Sequence, residues 1–276
     1  MSTQISPARI LYNTLLQKQT KQKRTKTKGG TKMNQPHLSV IIPCYNEEAT
    51  IAQTINEVIK ETHDGLINIT ISKQIIIVND GSTDNPTKII DTFKHHPNIT
   101  IIHKPNRGKG SAVKAAIPHC TGIYTVIQDA DLEYRPSDYP LLLYPASKNF
   151  KAIFGSRRIN PHNTCNKSSH LTYYLGGNIL TWFANKLYGQ RLTDAWTGYK
   201  CIETKLLKEL NLQSNGFEIC AETIAALSKK KIHIFEVPIF YYPRKISAGK
   251  KIKWKDGVKL AMCLIQQKWF NEKTKK

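Results

Sequence analysis

Four short apolar runs, each ending in polar residues, constrain this chain more than any other feature. They are LSVIIP (38–43), QIIIV (74–78), ITIIH (99–103) and IYTVIQ (123–128). Each is shorter than a typical helix and dense in β-branched residues, the composition of a strand buried on both faces. Segments with helical spacing lie between them. Ile51, Ile55, Val58 and Ile59 recur on one face of residues 47–62. Asp84 and Pro86 suit the cap and first turn of a helix carrying Ile89, Ile90 and Phe93. Val113, Ala116 and Ile117 belong to a third, glycine-bounded helix. Strands alternating with helices predict an α/β, Rossmann-like fold, a mostly parallel sheet flanked by helices. A chain of 276 residues that is 40% hydrophobic is large enough for one such core.

In such sheets ligands bind beyond the carboxyl ends of the strands. The polar residues of this chain fall there: Pro43 to Glu48, Asn79 to Asp84, Lys104 to Gly110, and Asp129-Ala130-Asp131. The last group is the most specific. Alternate residues of an extended chain point the same way, so Asp129 and Asp131 face one spot. Two carboxylates that close repel each other unless a positive charge lies between them. A divalent cation is the natural occupant, and oxygen-only ligands suit Mg²⁺ or Mn²⁺. Beyond residue 150 come AIFGSRR (152–158), read as a fifth strand running into two arginines, and a helix over 171–188. LTDAWTGYKCI (192–202), NGFEICAETIAAL (215–227), the strand-like IHIFEVPIFYY (232–242) and a last helix to about Trp269 follow.

The formal charge of +21 is uneven. No acid precedes Glu47, whereas residues 1–36 contain repeated Lys and Arg and too little apolar content to fold, so they read as a disordered basic arm. A second basic cluster occupies 244–276. Its Val258, Ala261, Met262, Ile265 and Trp269 share a helical face, the pattern of a helix that lies on an anionic bilayer or packs on the catalytic domain. The expected organisation is an arm (1–36), a catalytic domain (37–243) and a basic loop with an amphipathic helix (244–276). Six scattered cysteines show neither zinc nor disulfide spacing, which points to a reducing cytosol. No apolar run reaches the ~20 residues of a membrane span.

The elements SVIIPCYNEE, IIIVNDGSTD, NRGKGSAVKAA, VIQDADLEY, the GSR at 155–157, DAWTGYK and EVPIFYYPR, in this order, resemble family 2 glycosyltransferases of the glycosyltransferase-A fold. The likeness spans about residues 37–256 and is nearest to dolichyl-phosphate mannose synthase-like enzymes. It implies an inverting transfer of a sugar from a nucleotide-sugar donor to a polyprenyl phosphate, dolichyl or undecaprenyl. It implies nucleotide contacts at Pro43, Tyr45, Glu47, Val78, Asp80 and Ala130. Arg244 and Lys250 fall in a basic loop over the diphosphate. Asp129 and Asp131 match the metal–diphosphate motif, and Glu133, where many relatives have glutamine, is a third candidate ligand. Arg157 matches an arginine at the reacting phosphates, with Arg158 and Asp194 as further acceptor contacts.

A phosphate nucleophile needs little help from a base, since its second pKa is about 6. The resemblance places the enzyme on the cytosolic face of a membrane as a peripheral protein, and some relatives work with membrane subunits. Two other functions compete. A family 2 enzyme acting on a sugar or polysaccharide would need a base, for which Asp194 or Glu218 is available. A nucleic-acid-binding protein would carry its basic residues among exposed aromatics. Here much of the charge sits at the two termini, and the Asp129–Asp131 edge repels a polyanion, so nucleic acid is not an expected partner.

Overall fold

In a computed structural model, residues 37–64, 69–159, 171–244 and 254–269 are described. The basic arm and Lys250 lie outside them. A seven-stranded sheet forms the centre, in the order β5-β4-β1-β6-β8-β7-β9. Its strands are β1 (His37–Cys44), β4 (Ser72–Asp80), β5 (Ile99–Lys104), β6 (Tyr124–Ile127), β7 (Ala152–Ser156), β8 (Lys200–Glu203) and β9 (Phe235–Pro238). The short strands β2 (His63–Asp64) and β3 (Ile69–Thr70) pair separately. β1 pairs parallel with β4 and β6, and β4 with β5. β8 is antiparallel to both of its neighbours, while β7 and β9 are parallel. The expectation of a mostly parallel α/β sheet therefore holds, with one inserted antiparallel strand.

The helices are α1 (Ile51–Lys60), α2 (Pro86–Asp91), α3 (Lys109–Ala116), α4 (Tyr139–Ala146), α5 (Leu171–Tyr188), α6 (Thr204–Glu209), α7 (Ile219–Lys229) and α8 (Trp254–Trp269). Alternation along the strands divides the core in two. Leu38, Val40 and Ile42 of β1, with Ile75 and Ile77 of β4, pack against Ile51, Ile55 and Val58 of α1. Ile41, Ile76 and Val78 face the other way, against Ala112, Val113 and Ala116 of α3. Each strand is buried on both faces, which explains the continuous apolar runs.

The chain leaves β1, builds β4 and β5 on one side, and returns to place β6 on the other. The ends of β1 and β6 thus mark the reversal of strand order, where a crevice opens. The carboxyl-terminal part of the chain closes over it. α8 is not an isolated appendage: Cys263 and Leu264 are buried, and Tyr188 Oη donates to the Leu264 carbonyl at 2.7 Å.

Asp138, 3% exposed at the start of α4, accepts the Phe240 N–H at 2.9 Å and so ties down the chain after β9. Burial pushes its carboxyl up to about 7. In the unfolded chain the group ionises near ~3.9, so the stability present below that pH is lost as pH rises from there to about 7. Asp138→Asn keeps an acceptor and removes the charge. We expect it to raise Tm near pH 8 by ~4–8 °C, about 2 kcal/mol, with the gain vanishing near pH 4. Equal melting temperatures for variant and wild type near pH 8 would show that Asp138 ionises in the fold without cost.

Candidate active site

A cavity of about 360 Å³ opens at the reversal point. Pro43, Tyr45 and Glu47 reach it from the end of β1, Asp80 from β4, and Gly108 and Lys109 from the start of α3. Asp129, Ala130, Asp131 and Glu133 follow β6, and Arg157 follows β7. Trp196, Thr197 and Gly198 precede β8, and Tyr241 and Arg244 follow β9.

The cavity's carboxylates are held apart by cations. Lys109 Nζ lies 2.5 Å from Asp129 Oδ1. Burial works against the ammonium, but Asp129 outweighs it and holds Lys109 above its ordinary range. Arg244 forks onto Glu47 at 3.0 and 3.1 Å and reaches Asp131 Oδ2 at 3.1 Å. Its backbone N–H donates to Glu133 Oε1 at 2.9 Å, and Tyr241 Oη donates to Glu133 Oε2 at 2.7 Å. Burial, then the charges of Asp129 and Glu133, push the Asp131 carboxyl well above the usual carboxylate range despite Arg244. Asp80, 2% exposed, accepts the Lys104 ammonium and the Gly108 N–H at 2.8 Å, so it folds the loop before α3. Gly108 has φ of +98°, and a Cβ there would meet the Asn215 carbonyl oxygen at 2.7 Å. Only glycine allows that loop to lie so close to residue 215.

The backbone between the acids is strained. Leu132 has φ of +61°, a region that bulky residues rarely adopt. The turn is held by the Glu133 N–H, which donates to Asp131 Oδ1 at 3.1 Å, and by the contacts of Tyr241 and Arg244 on Glu133. Behind it, Gln128 is wholly buried and uses its whole amide. It accepts from Tyr139 Oη at 2.9 Å and Tyr199 Oη at 2.6 Å. It donates to the carbonyls of Asp129 at 3.1 Å and Tyr134 at 3.0 Å. The amide thereby fixes both ends of the acidic turn.

Arg157 presents Nε and Nη2 to Asp194 at 2.6 and 2.8 Å, and its N–H donates to Asp194 Oδ2 at 3.1 Å. Asp194 is wholly buried. Burial alone would raise its carboxyl, but Arg157 outweighs this and holds it below the usual range. Glu236 on β9 accepts the N–H groups of Thr193 and Asp194 at 2.7 and 2.9 Å, so the pair is braced from behind.

Most of the expected site residues converge. Pro43, Tyr45, Glu47, Asp80, Ala130, Asp129, Asp131, Glu133, Arg157 and Arg244 line one cavity. Four expected residues are placed differently. Val78 is fully buried in the core beside α3, because its side chain points to the helix layer and not to the strand end. Arg158 turns away toward α5, bonded to Asn178 and stacked over Tyr174 at 5.0 Å. Asp194 touches Arg157 and does not line the cavity, so it positions the arginine. Glu133 spends both oxygens on Tyr241 and Arg244, and among the described residues no three metal-ligating side chains form a cage.

Lys109, Gln128, Tyr134 and Gly198 carried no sequence assignment. A Cβ on Gly198 would overlap the Asp129 carboxylate and meet Tyr134 Cε2 at 2.8 Å. The glycine-flanked Lys109 was the visible signal, whereas Gln128 is tied to Tyr199 and Gly198 to Tyr134, both distant in sequence.

The glycosyl transferase family 2 model matches residues 39–210, and this chain belongs to that family. It is 30% identical to the UDP-N-acetylglucosamine–dolichyl-phosphate N-acetylglucosaminyltransferase of Methanococcus voltae, over 83% of this chain and 95% of that protein. It is 25% identical to a dolichyl-phosphate beta-glucosyltransferase of Trichomonas vaginalis, over 84% of this chain and 73% of that protein. The fold matches glucosyl-3-phosphoglycerate synthase of Mycobacterium tuberculosis, solved with Mn²⁺, UDP-glucose and phosphoglyceric acid. That match has a TM-score of 0.59 at 18% identity, over 84% of this chain and 78% of that one.

The Arg157–Asp194 pair gives a direct test of the site's construction. Asp194→Asn leaves a largely buried guanidinium without its anionic partner. Urea unfolding is expected to show a loss of ~3–5 kcal/mol. A loss below about 1 kcal/mol would mean that solvent already screens the pair.

Proposed function

We propose that this chain transfers a hexosyl group from a nucleoside diphosphate to a polyprenyl phosphate, dolichyl or undecaprenyl, with inversion at the anomeric carbon. One observation carries the proposal: a single cavity is lined both by the Asp129–Asp131 pair and by the guanidinium groups of Arg157 and Arg244. Acids suit a cation that bridges to a diphosphate, and guanidinium groups suit phosphate oxygens. The dolichyl-phosphate relatives support the same acceptor.

The acceptor chemistry follows from how the described carboxylates are used. A sugar hydroxyl needs a base, and both candidates in the acceptor half are unsuited. Asp194 is wholly buried and bound to Arg157, and Glu218 is not among the lining residues. A phosphate monoester is already ionised, so positioning is the main requirement. Arg157 supplies it: Asp194 and Glu236 hold its guanidinium in one orientation, with the Tyr241 ring 5.0 Å away. Pro43, Tyr45, Glu47 and Asp80 form the side of the cavity where we place the nucleoside.

A Mg²⁺ or Mn²⁺ ion fits Asp129 and Asp131. The donors are all oxygen, as hard cations require, and Gly198 leaves the Asp129 carboxylate room that any side chain would fill. When bound, the ion supplies Lewis-acid neutralisation of the leaving diphosphate. Glu133 serves the chain as a strut for Tyr241 and Arg244. Arg244 is the cation that leaves the acids for the diphosphate, and it stabilises the charge that develops there. No helix among the described residues is long and apolar enough to cross a membrane. The lipid-linked acceptor is our reason to place the enzyme peripherally, on the cytosolic face of the membrane that holds that acceptor.

The test pairs labelled UDP- and GDP-sugars with a short-chain polyprenyl phosphate in detergent, with and without divalent metal. Lipid-linked sugar should form only with metal. Asp131→Asn should lower kcat/KM by about 1,000-fold, ~4 kcal/mol. Transfer that survives chelation, or an Asp131→Asn enzyme within about threefold of wild type, ~0.7 kcal/mol, would refute the metal–diphosphate assignment.

A further inference from the structure

Large hydrophobic side chains are not exposed at random on this molecule. Among the described residues ten are exposed, and eight of them lie on α5 and α8. On α5, Leu175, Ile179 and Trp182 follow at i, i+4 and i+7, and Trp182 is 65% exposed. On α8, Val258, Met262, Ile265 and Trp269 form the same kind of stripe, with Trp269 56% exposed. Each set occupies a single helix face.

The two stripes belong to one side of the molecule. α5 turns Thr181 and Asn185 to the protein body, where Asn185 Nδ2 donates to the Leu192 carbonyl at 2.8 Å. α8 turns Cys263 to α7, with its Sγ 3.7 Å from the Glu218 carbonyl. The helices lie against each other in the same direction, Leu180 beside Gly257 and Tyr188 bonded to Leu264. Both stripes therefore point away from the body on the outer side of a packed pair.

Charge selects the occupant. The two helices carry Lys186, Lys255, Lys259 and Lys268 against Asp256 alone. Lys186, Lys259 and Lys268 are exposed, and three further lysines against one glutamate follow Trp269 in the sequence. Two copies of this side would oppose lysine to lysine, which disfavours a dimer through it. An anionic lipid surface complements it: lysines meet headgroups while tryptophan and aliphatic side chains enter the interface. The side also begins beside the active site. Tyr174 at the start of α5 stacks under Arg158, and Trp196, which lines the cavity, donates to the Gly177 carbonyl at 3.2 Å.

We propose that α5 and α8 together form a membrane-seating face, with Ile179 and Trp182 of α5 entering an anionic bilayer alongside the stripe of α8. The face deepens the polyprenyl-phosphate reading, because it sets the cavity's Trp196 wall toward the bilayer that carries such an acceptor. Its test needs no acceptor. Full-length protein is sedimented with vesicles of phosphatidylcholine alone or mixed with phosphatidylglycerol, and tryptophan quenching by brominated acyl chains is read in parallel. Binding should require phosphatidylglycerol, weaken as salt rises, and bring quenching.

Ile179→Ser combined with Trp182→Ser should weaken vesicle binding about tenfold or more. Met262→Ser with Ile265→Ser should do the same. Both variants should keep wild-type transfer to a short-chain acceptor in detergent. Three results would overturn the face: wild-type protein that ignores anionic vesicles at low salt, an α5 variant that binds them as wild type does, or a dimer by light scattering that the α5 variant dissociates. Failure of the acceptor reading would appear separately, as no transfer in detergent.

Discussion

The structure depends on keeping five carboxylates together at one edge of a sheet. Glu47, Asp80, Asp129, Asp131 and Glu133 all line the same cavity. At an effective dielectric near 20, two such charges 4 Å apart repel by about 4 kcal/mol. The chain answers with cations from two segments far apart in sequence: Lys104 on Asp80 and Lys109 on Asp129 from the connection between β5 and α3, and Arg244 across Glu47 and Asp131. Arg244 lies 197 positions from Glu47. The charges at the edge are balanced only with Arg244, which follows β9, in place over Glu47 and Asp131.

The same economy governs the rest of the cavity. Several polar groups at the cavity are fixed by partners that do not line it. Asp194 holds Arg157, Glu236 holds the Asp194 loop, and Gln128 holds the acidic turn from behind. Tyr134 joins two of these systems, stacking on Tyr199 at 4.9 Å and accepting the Gly198 N–H at 3.0 Å. Such preorganisation is what a reaction with an already ionised nucleophile requires, since positioning and charge stabilisation replace proton transfer.

Much of this was legible in the sequence because it is local. The apolar runs at 38–43, 74–78, 99–103 and 123–128 lie in or across β1, β4, β5 and β6, and the acid pair stands just past the end of β6, as strand order put it, but in a turn and not in extended chain. β8 was not legible. Its KCIE is short and half apolar, and its antiparallel place between β6 and β7 is set by tertiary pairing. The Val78 side chain lies in the α3 layer because strand alternation turns it there. Arg158 stands next to Arg157 in the same motif, yet successive residues leaving a strand point to opposite sides. The partners of Gln128 lie up to 71 residues away, so no spacing announces them.

The central claim is that Asp129 and Asp131 take a divalent cation, and with it a diphosphate, in the place Lys109 and Arg244 now neutralise. It is tested most directly by a crystal structure of the chain with Mn²⁺ and a nucleoside diphosphate, with anomalous scattering recorded at the manganese edge. The account predicts an anomalous peak in ligand contact with Asp131 and Asp129, with the Arg244 guanidinium on the diphosphate and no longer on Asp131. A manganese peak away from both aspartates, or a bound diphosphate with Arg244 still forked on Glu47 and Asp131, would contradict it.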